Sequence, residues 1–201
     1  PTPNRKFIFL RFVNRGSTHE LGSKGLNTNK KSIIVHRLSR HGKVLLSSES
    51  RLPPDLRRFE TDIPVYRIHE VLQGASLFFG DSTTMAAEAA ILGIPAILIG
   101  NKKRGFIDHL EKTTRLITRF QMKDMDQALR QAEKILSRKI HDPVGTLNRN
   151  NKILLKTTDI KRLLLWIMEN PSKNIHQLKQ SRKLIEKFGR ENKQYIRSEY
   201  S

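Results

Sequence analysis

The chain has no cysteine among its 201 residues, which removes disulfide bridges and thiolate chemistry from consideration. It has no run near the roughly 20 apolar residues that a membrane span requires, and no signal peptide heads it. A cytoplasmic protein, or one peripheral at the inner membrane, is therefore the expectation. Acidic residues are scarce, 19 Asp and Glu against 38 Lys and Arg, for a formal charge of +19. Aromatic residues make up only 6%, and few of them interleave the basic segments as they would in a nucleic-acid reader. No zinc-ligand spacing occurs, and nothing in the sequence asks for a metal or a cofactor.

The basic excess is not spread evenly. Residues 1 to 70 carry 14 Lys/Arg against 6 Asp/Glu, residues 71 to 100 carry none against 2, and residues 101 to 201 carry 24 against 11. Such an excess attracts polyanions, whether nucleic acid, an anionic lipid surface or nucleotide phosphates. Without a nucleic-acid motif, nucleic acid is the secondary candidate.

The centre, free of Lys and Arg, is also the most informative stretch. From Gly74 to Ile99 it reads GASLFFGDSTTMAAEAAILGIPAILI. Leu77-Phe78-Phe79, bounded by Gly74 and Gly80, fits a short buried strand. Asp81 or Ser82 can then accept hydrogen bonds from the free amides that open a helix. The helix, about Thr83 to Leu92, carries Met85, Ala89 and Leu92 as an apolar stripe. Gly93 ends it, and Pro95 opens a further strand, Ala96 to Ile99, which completes a βαβ unit.

A helix that starts at the carboxyl end of a parallel strand presents unpaired amides and a positive dipole end to an anion. Ser82, Thr83 and Thr84 add hydroxyls there, and Glu88 shares the helix face of Thr84 one turn on. The arrangement suits a phosphorylated ligand with a carboxylate reaching a hydroxylated ring. Asp and Ser at such a junction also serve simply as caps, and an Asp there competes for the donors a phosphate needs.

The remaining chain supplies the partners of that unit. Phe7 to Val13 reads as a strand covered on both faces, with Arg11 inside it requiring an anionic partner if buried. A glycine-rich loop, Asn14 to Asn27, follows, but it fits neither the dinucleotide nor the P-loop spacing. Thr28 to His41 reads as a helix stopped at Gly42. Val44-Leu45-Leu46 is a second strand closing in Ser47-Ser48-Glu49, and Pro53-Pro54-Asp55-Leu56 leads into a short helical turn. Ile68 to Leu72 is a short helix. After a basic loop at Asn101 to Gly105 come a helix from Phe106, a minor strand at Leu116-Ile117 and an amphipathic helix from Met125 to Arg138.

From Asp142 the pattern is helical only, and Lys173 to Ser201 holds 8 Lys/Arg against 3 Asp/Glu. Trp166 and its neighbouring leucines read as core. The expected architecture is α/β, a Rossmann-like parallel sheet with helices on both faces plus a C-terminal helical extension. Residues 1–141 form its first domain and 142–201 the helices packed on it.

At GDSTTMAAEAAILGIPAI, together with FLRFV, THELGSKGL, LLSSESRLP and RIHEVLQGA, the chain resembles an uncharacterised prokaryotic family. That family is related to the GT-B glycosyltransferases and the UDP-N-acetylglucosamine 2-epimerases. The similarity runs across residues 6 to 170 or so, and GDSTTMAAEAA is its most specific part. GT-B enzymes have two Rossmann-like halves, and this chain resembles the carboxyl half, which holds the nucleotide-sugar donor.

The resemblance implies that Ser82, Thr83 and Thr84 lie under the pyrophosphate, beside Asp81, and that Glu88 holds the ribose. The backbone near Arg67, Ile68 and His69 would frame the base. Arg11, His19, Gly22 and Gly25 would face the donor, with Glu49 on the same edge. His19 and Glu49 are the weak candidates for catalysis. The implied partners are a UDP-sugar and an amino-terminal acceptor half, which supplies the general base in many inverting members. An anionic membrane surface is a further candidate. Two rival readings remain: an epimerase acting on the same donor, and a non-enzymatic basic domain that binds polyanions.

Overall fold

Phe7–Phe12 forms the first strand, β1, because its side chains find apolar cover on both sides. Ile8, Leu10 and Phe12 enter one hydrophobic cluster and Phe9 the other, as the two-residue period of a strand dictates. The computed structural model describes residues 7–13, 26–100 and 104–137 and the isolated positions 165 and 168. The chain divides into two units, Pro1–Leu147 and Asn148–Ser201. The boundary expected at residue 141 and the helical extension fall outside the described residues, apart from Leu165 and Met168, both helical and exposed.

The elements alternate through the first unit. α1 (Thr28–Leu38) follows β1, β2 (Lys43–Ser48) follows α1, and a 3-10 turn (Pro54–Phe59) leads through α2 (Ile68–Gly74) into β3 (Ala75–Gly80). Then come α3 (Thr83–Ile91), β4 (Ala96–Ile99), α4 (Gly105–Thr114), β5 (Ile117–Phe120) and α5 (Met125–Ser137). All five strands run parallel in the order β2-β1-β3-β4-β5. α1 and α5 cover one face and α2, α3 and α4 the other. This is the expected Rossmann-like α/β sheet, doubly wound, with its order reversing between β1 and β3. In such sheets ligands bind beyond the carboxyl ends of the strands at that reversal.

Two local expectations change. α1 ends at Leu38, not His41, because Ser39 closes the last turn with its amide on the Val35 carbonyl and its hydroxyl on that of His36. In α3 the fully covered residues are Ala86, Ala87, Ala89 and Ala90, while Met85 and Leu92 are only partly covered. The helix therefore rests on the sheet by its alanines, and its axis can approach closely. Gly93, with φ of 80°, terminates α3 as expected. Its amide bonds the Ala90 carbonyl and that of Ile94 the Ala89 carbonyl, the paired closure that favours glycine.

Gly80 has a different reason to be glycine. It stands level with Arg11 on β1, and a Cβ there would overlap the Arg11 carbonyl oxygen. The strands can thus converge where the α3 turn begins.

Candidate functional site

The site is built at the reversal between β1 and β3. Directly after Gly80, Asp81 is 3% exposed. Its amide donates to the Arg11 carbonyl at 3.3 Å, and its Oδ1 accepts the Val13 amide at 2.8 Å. This settles which residue caps α3. Asp81 turns across to β1, and Ser82 is the cap, its Oγ accepting the Met85 amide at 3.4 Å. The amides of Thr83 and Thr84, in the first turn, have no intrahelical acceptor by position.

Around this helix start lies a cleft of about 280 Å³, lined by Val13, Glu49, Asp81, Ser82, Thr83, Thr84, Leu98, Ile99, Gly100 and Arg104. It draws on the carboxyl ends of β1, β2, β3 and β4. The two carboxylates in it have partners within the fold. Glu49 is held by Arg11, whose Nη2 donates to its Oε1 at 2.7 Å while Nη1 donates to Ser47 Oγ at 2.6 Å. Arg11 thereby has the anionic partner its strand position demands. Among the described residues the Arg104 guanidinium has no carboxylate partner. Arg104 and the positive end of α3 add positive potential beside the charges of Asp81 and Glu49.

Ile68, His69 and Glu88 stand apart from the cleft lining. Ile68 packs in the core beside α3. His69 is exposed and reaches Glu88, with Nε2 3.6 Å from Oε2, a pair that is ionic only when the imidazole is protonated. His19, Gly22 and Gly25 lie outside the described residues. The structure thus brings Asp81, Ser82, Thr83, Thr84 and Glu49 together, with Arg11 behind Glu49.

Two residues escaped the sequence reading. Arg104 belongs to a basic loop with no periodic signal. Lys31 did carry a signal: it occupies the first position of the stripe Lys31, Ile34, Val35 and Leu38, all buried in α1. Its burial pushes the ammonium below the ordinary lysine range, and the charge of Asp81 opposes that shift.

A larger groove of about 540 Å³ adjoins at Gly100 and runs past Asp108, Glu111, Lys112, Arg119, Phe120 and Gln121. Its guanidinium is already shared, Arg119 lying 2.7 Å from Asp108 and 2.6 Å from Glu111. Among the described residues no three His, Asp or Glu side chains converge as a metal site would need. No described helix is long and apolar enough to cross a membrane.

No family profile and no curated protein matches the chain. Solved structures do. The glycosyltransferase of kitacinnamycin is 12% identical with a TM-score of 0.45, over 76% of this chain and 38% of that one. A protein described as a UDP-N-acetylglucosamine 2-epimerase from Listeria monocytogenes is 15% identical with a TM-score of 0.47, over 76% of this chain and 44% of that one. The chain spans less than half the length of either. Similarity at this level carries no functional information.

Proposed function

We propose that this chain is the nucleotide-sugar-binding half of a GT-B-like glycosyltransferase, working in surface polysaccharide or glycolipid assembly. One observation carries the reading. The cleft at the β1/β3 reversal joins the open amino end of α3, the hydroxyls of Ser82, Thr83 and Thr84, and the guanidinium of Arg104. That is a donor set for a diphosphate, while the neighbouring carboxylates are taken up by Val13 and Arg11. The sequence resemblance around GDSTTMAAEAA supports the same ligand.

In this reading the α3 amides and Arg104 stabilise the departing nucleoside diphosphate, an effect that grows as charge develops on it. Glu88 with His69, on the adjoining helices, would meet the ribose and base. A second, amino-terminal half would bring the acceptor and the general base. The basic surface would favour a peripheral position on an anionic membrane, on the cytoplasmic side where nucleotide sugars are used.

Thermal-shift titration with UDP, UDP-sugars, GDP and CDP tests the reading. A ligand at a hundredfold excess over its Kd adds about 2.7 kcal/mol of stability, and Arg104→Ala should reduce the shift. If no nucleotide moves the melting temperature, the donor reading is lost. An epimerase-like reading draws on the two cleft carboxylates, Glu49 and Asp81; turnover of UDP-N-acetylglucosamine without acceptor, by a form with both halves, would select it. The charge of +19 also suits a plain polyanion-binding domain. Salt-sensitive retention on DNA that survives saturating nucleotide sugar would select that one.

A further inference from the structure

The larger groove beside α4 is left unused by a diphosphate at α3, and its lining is of a different kind. Asp108, Glu111 and Lys112 reach it from α4, and Arg119 and Phe120 from β5, with Gln121 just beyond. Two acids and two bases make the charged lining electroneutral, so it selects neither an anion nor a cation. An apolar ligand is excluded too, because covering carboxylates without hydrogen bonds to them is costly. A neutral ligand whose groups both donate and accept hydrogen bonds fits such a lining.

The hydrogen-bonding capacity of the groove is only partly spent. Arg119 Nη1 lies 2.7 Å from Asp108 Oδ1, and Nη2 lies 2.6 Å from Glu111 Oε2. Among the described residues, Arg119 is the only side chain that either carboxylate bonds. Two carboxylates offer about eight acceptor sites against the five N–H groups of one guanidinium, so acceptors remain. Both acids are also partly exposed, at 38% and 32%. Donors stand beside them. Lys112 pairs with no described acid, and Gln121 opens a 3-10 turn without a capping bond from its side chain.

Position supplies the class of ligand. Gly100 lines both spaces. The α3 cleft, at about 280 Å³, falls short of the roughly 300–1,000 Å³ of a small-molecule site, whereas the groove, at about 540 Å³, lies within it. A ligand with its diphosphate at α3 therefore finds further room past Gly100. We propose that the α4 groove is a saccharide subsite: Asp108 and Glu111 accept from sugar hydroxyls, Gln121 and Lys112 donate to sugar oxygens, and Phe120 supplies an apolar wall. Arg119 is a positioning residue that holds the two carboxylates. The ligand class rests on the sugar-nucleotide reading of the cleft, and the ring belongs either to the donor's own sugar or to a separate saccharide.

Calorimetric titration of the full chain with UDP, UDP-glucose, UDP-N-acetylglucosamine and maltotriose, in parent, Glu111→Ala and Gln121→Ala forms, tests this. A ring bonded in the groove should make at least one UDP-sugar bind about tenfold more tightly than UDP, the worth of one hydrogen bond to a charged acceptor. Glu111→Ala should remove that gain and Gln121→Ala should cut it about threefold, while both bind UDP within about twofold of the parent. That outcome assigns the groove to the donor's sugar. Maltotriose binding that both variants weaken, with UDP and UDP-sugars equal, assigns it to a separate saccharide. Gln121 is exposed and its side chain bonds no described residue, so this variant carries the test if Glu111→Ala does not fold. The proposal is overturned if the parent binds UDP-sugars no better than UDP and maltotriose not at all, or if the variants bind every sugar as the parent does. If UDP itself does not bind, the donor reading is lost, and the maltotriose titrations alone decide the groove.

Discussion

The helices that follow strands all start at the same edge of the sheet, yet their first turns fall into two groups. α4 and α5, which follow β4 and β5 and so start farther from the reversal, carry Asp108 and Asp126 there. α1 and α3, which follow the two strands of the reversal, carry no acid, and α1 carries two lysines. An acidic residue in the first turn neutralises the helix dipole from within. The outer helices are therefore electrostatically complete, and the inner pair is left to be completed by something else. On the proposed reading the anion is taken at the β1/β3 reversal, where the order of the sheet opens a crevice, and not at the larger groove by α4.

The most damaging way to break this difference is to move the strands that create it. Gly80→Ala places a methyl against the Arg11 backbone and should destabilise the fold by about 3 kcal/mol, read as a fall in the urea midpoint. Asp81→Ala leaves the Val13 amide without its acceptor and should cost about 2 kcal/mol. Asp81→Asn, which keeps an acceptor, should cost less in the same measurement. Ser82→Ala removes the α3 cap for about 1 kcal/mol.

Thr84→Glu turns the comparison around by giving α3 the acid that α4 and α5 possess. It should raise stability by about 0.5 kcal/mol while lowering the thermal shift produced by UDP. A loss on both counts would show that the missing acid is not what distinguishes the inner helices.

The smallest effect concerns the contact between the two groups. Arg37 of α1 pairs with Glu133 at 2.6 Å and lies 3.6 Å from Asp126, both on α5. The hydrogen bond from Arg37 holds the Glu133 carboxyl below the ordinary glutamate range, with the charges of Arg37, His41 and Arg130 adding to it. A lowered folded pKa stabilises above the unfolded value, and the contribution disappears as pH falls through the folded one. The urea midpoint should therefore decline as pH drops below the glutamate range, and Glu133→Gln should flatten that part of the profile. The groups are partly exposed, so the change is modest.

Much of the fold could be read locally. The strand at Leu77 to Phe79, the turn at Asp81-Ser82 and the stop at Gly93 lie within 17 residues of one another, and each depends on its own neighbours. Lys31, which the sequence reading passed over, stands on the buried stripe of α1 and is an anomaly of the same local kind. Other parts of the site were not visible because their partners are remote. Val13 and Asp81 are 68 positions apart, and Arg11 and Glu49 are 38 apart. No spacing rule connects such pairs. Glu88, placed by helix geometry on the face of Thr84, finds His69 of another helix, and Arg104 enters the cleft from a loop without periodicity.

By itself the sequence determined the alternation of strands and helices, the glycines at the turns and the basic surroundings of a centre without Lys or Arg. Those follow from side-chain period, backbone freedom and charge count, which act over a few residues or over the whole composition. Only the tertiary structure decided that the strand order reverses between β1 and β3 and that Asp81 bonds β1 while Ser82 caps α3. It alone left two helix starts without acids at that crevice. Strand order and hydrogen-bond choice are settled by competition among distant segments for the same core and the same donors, and that competition has no local signature.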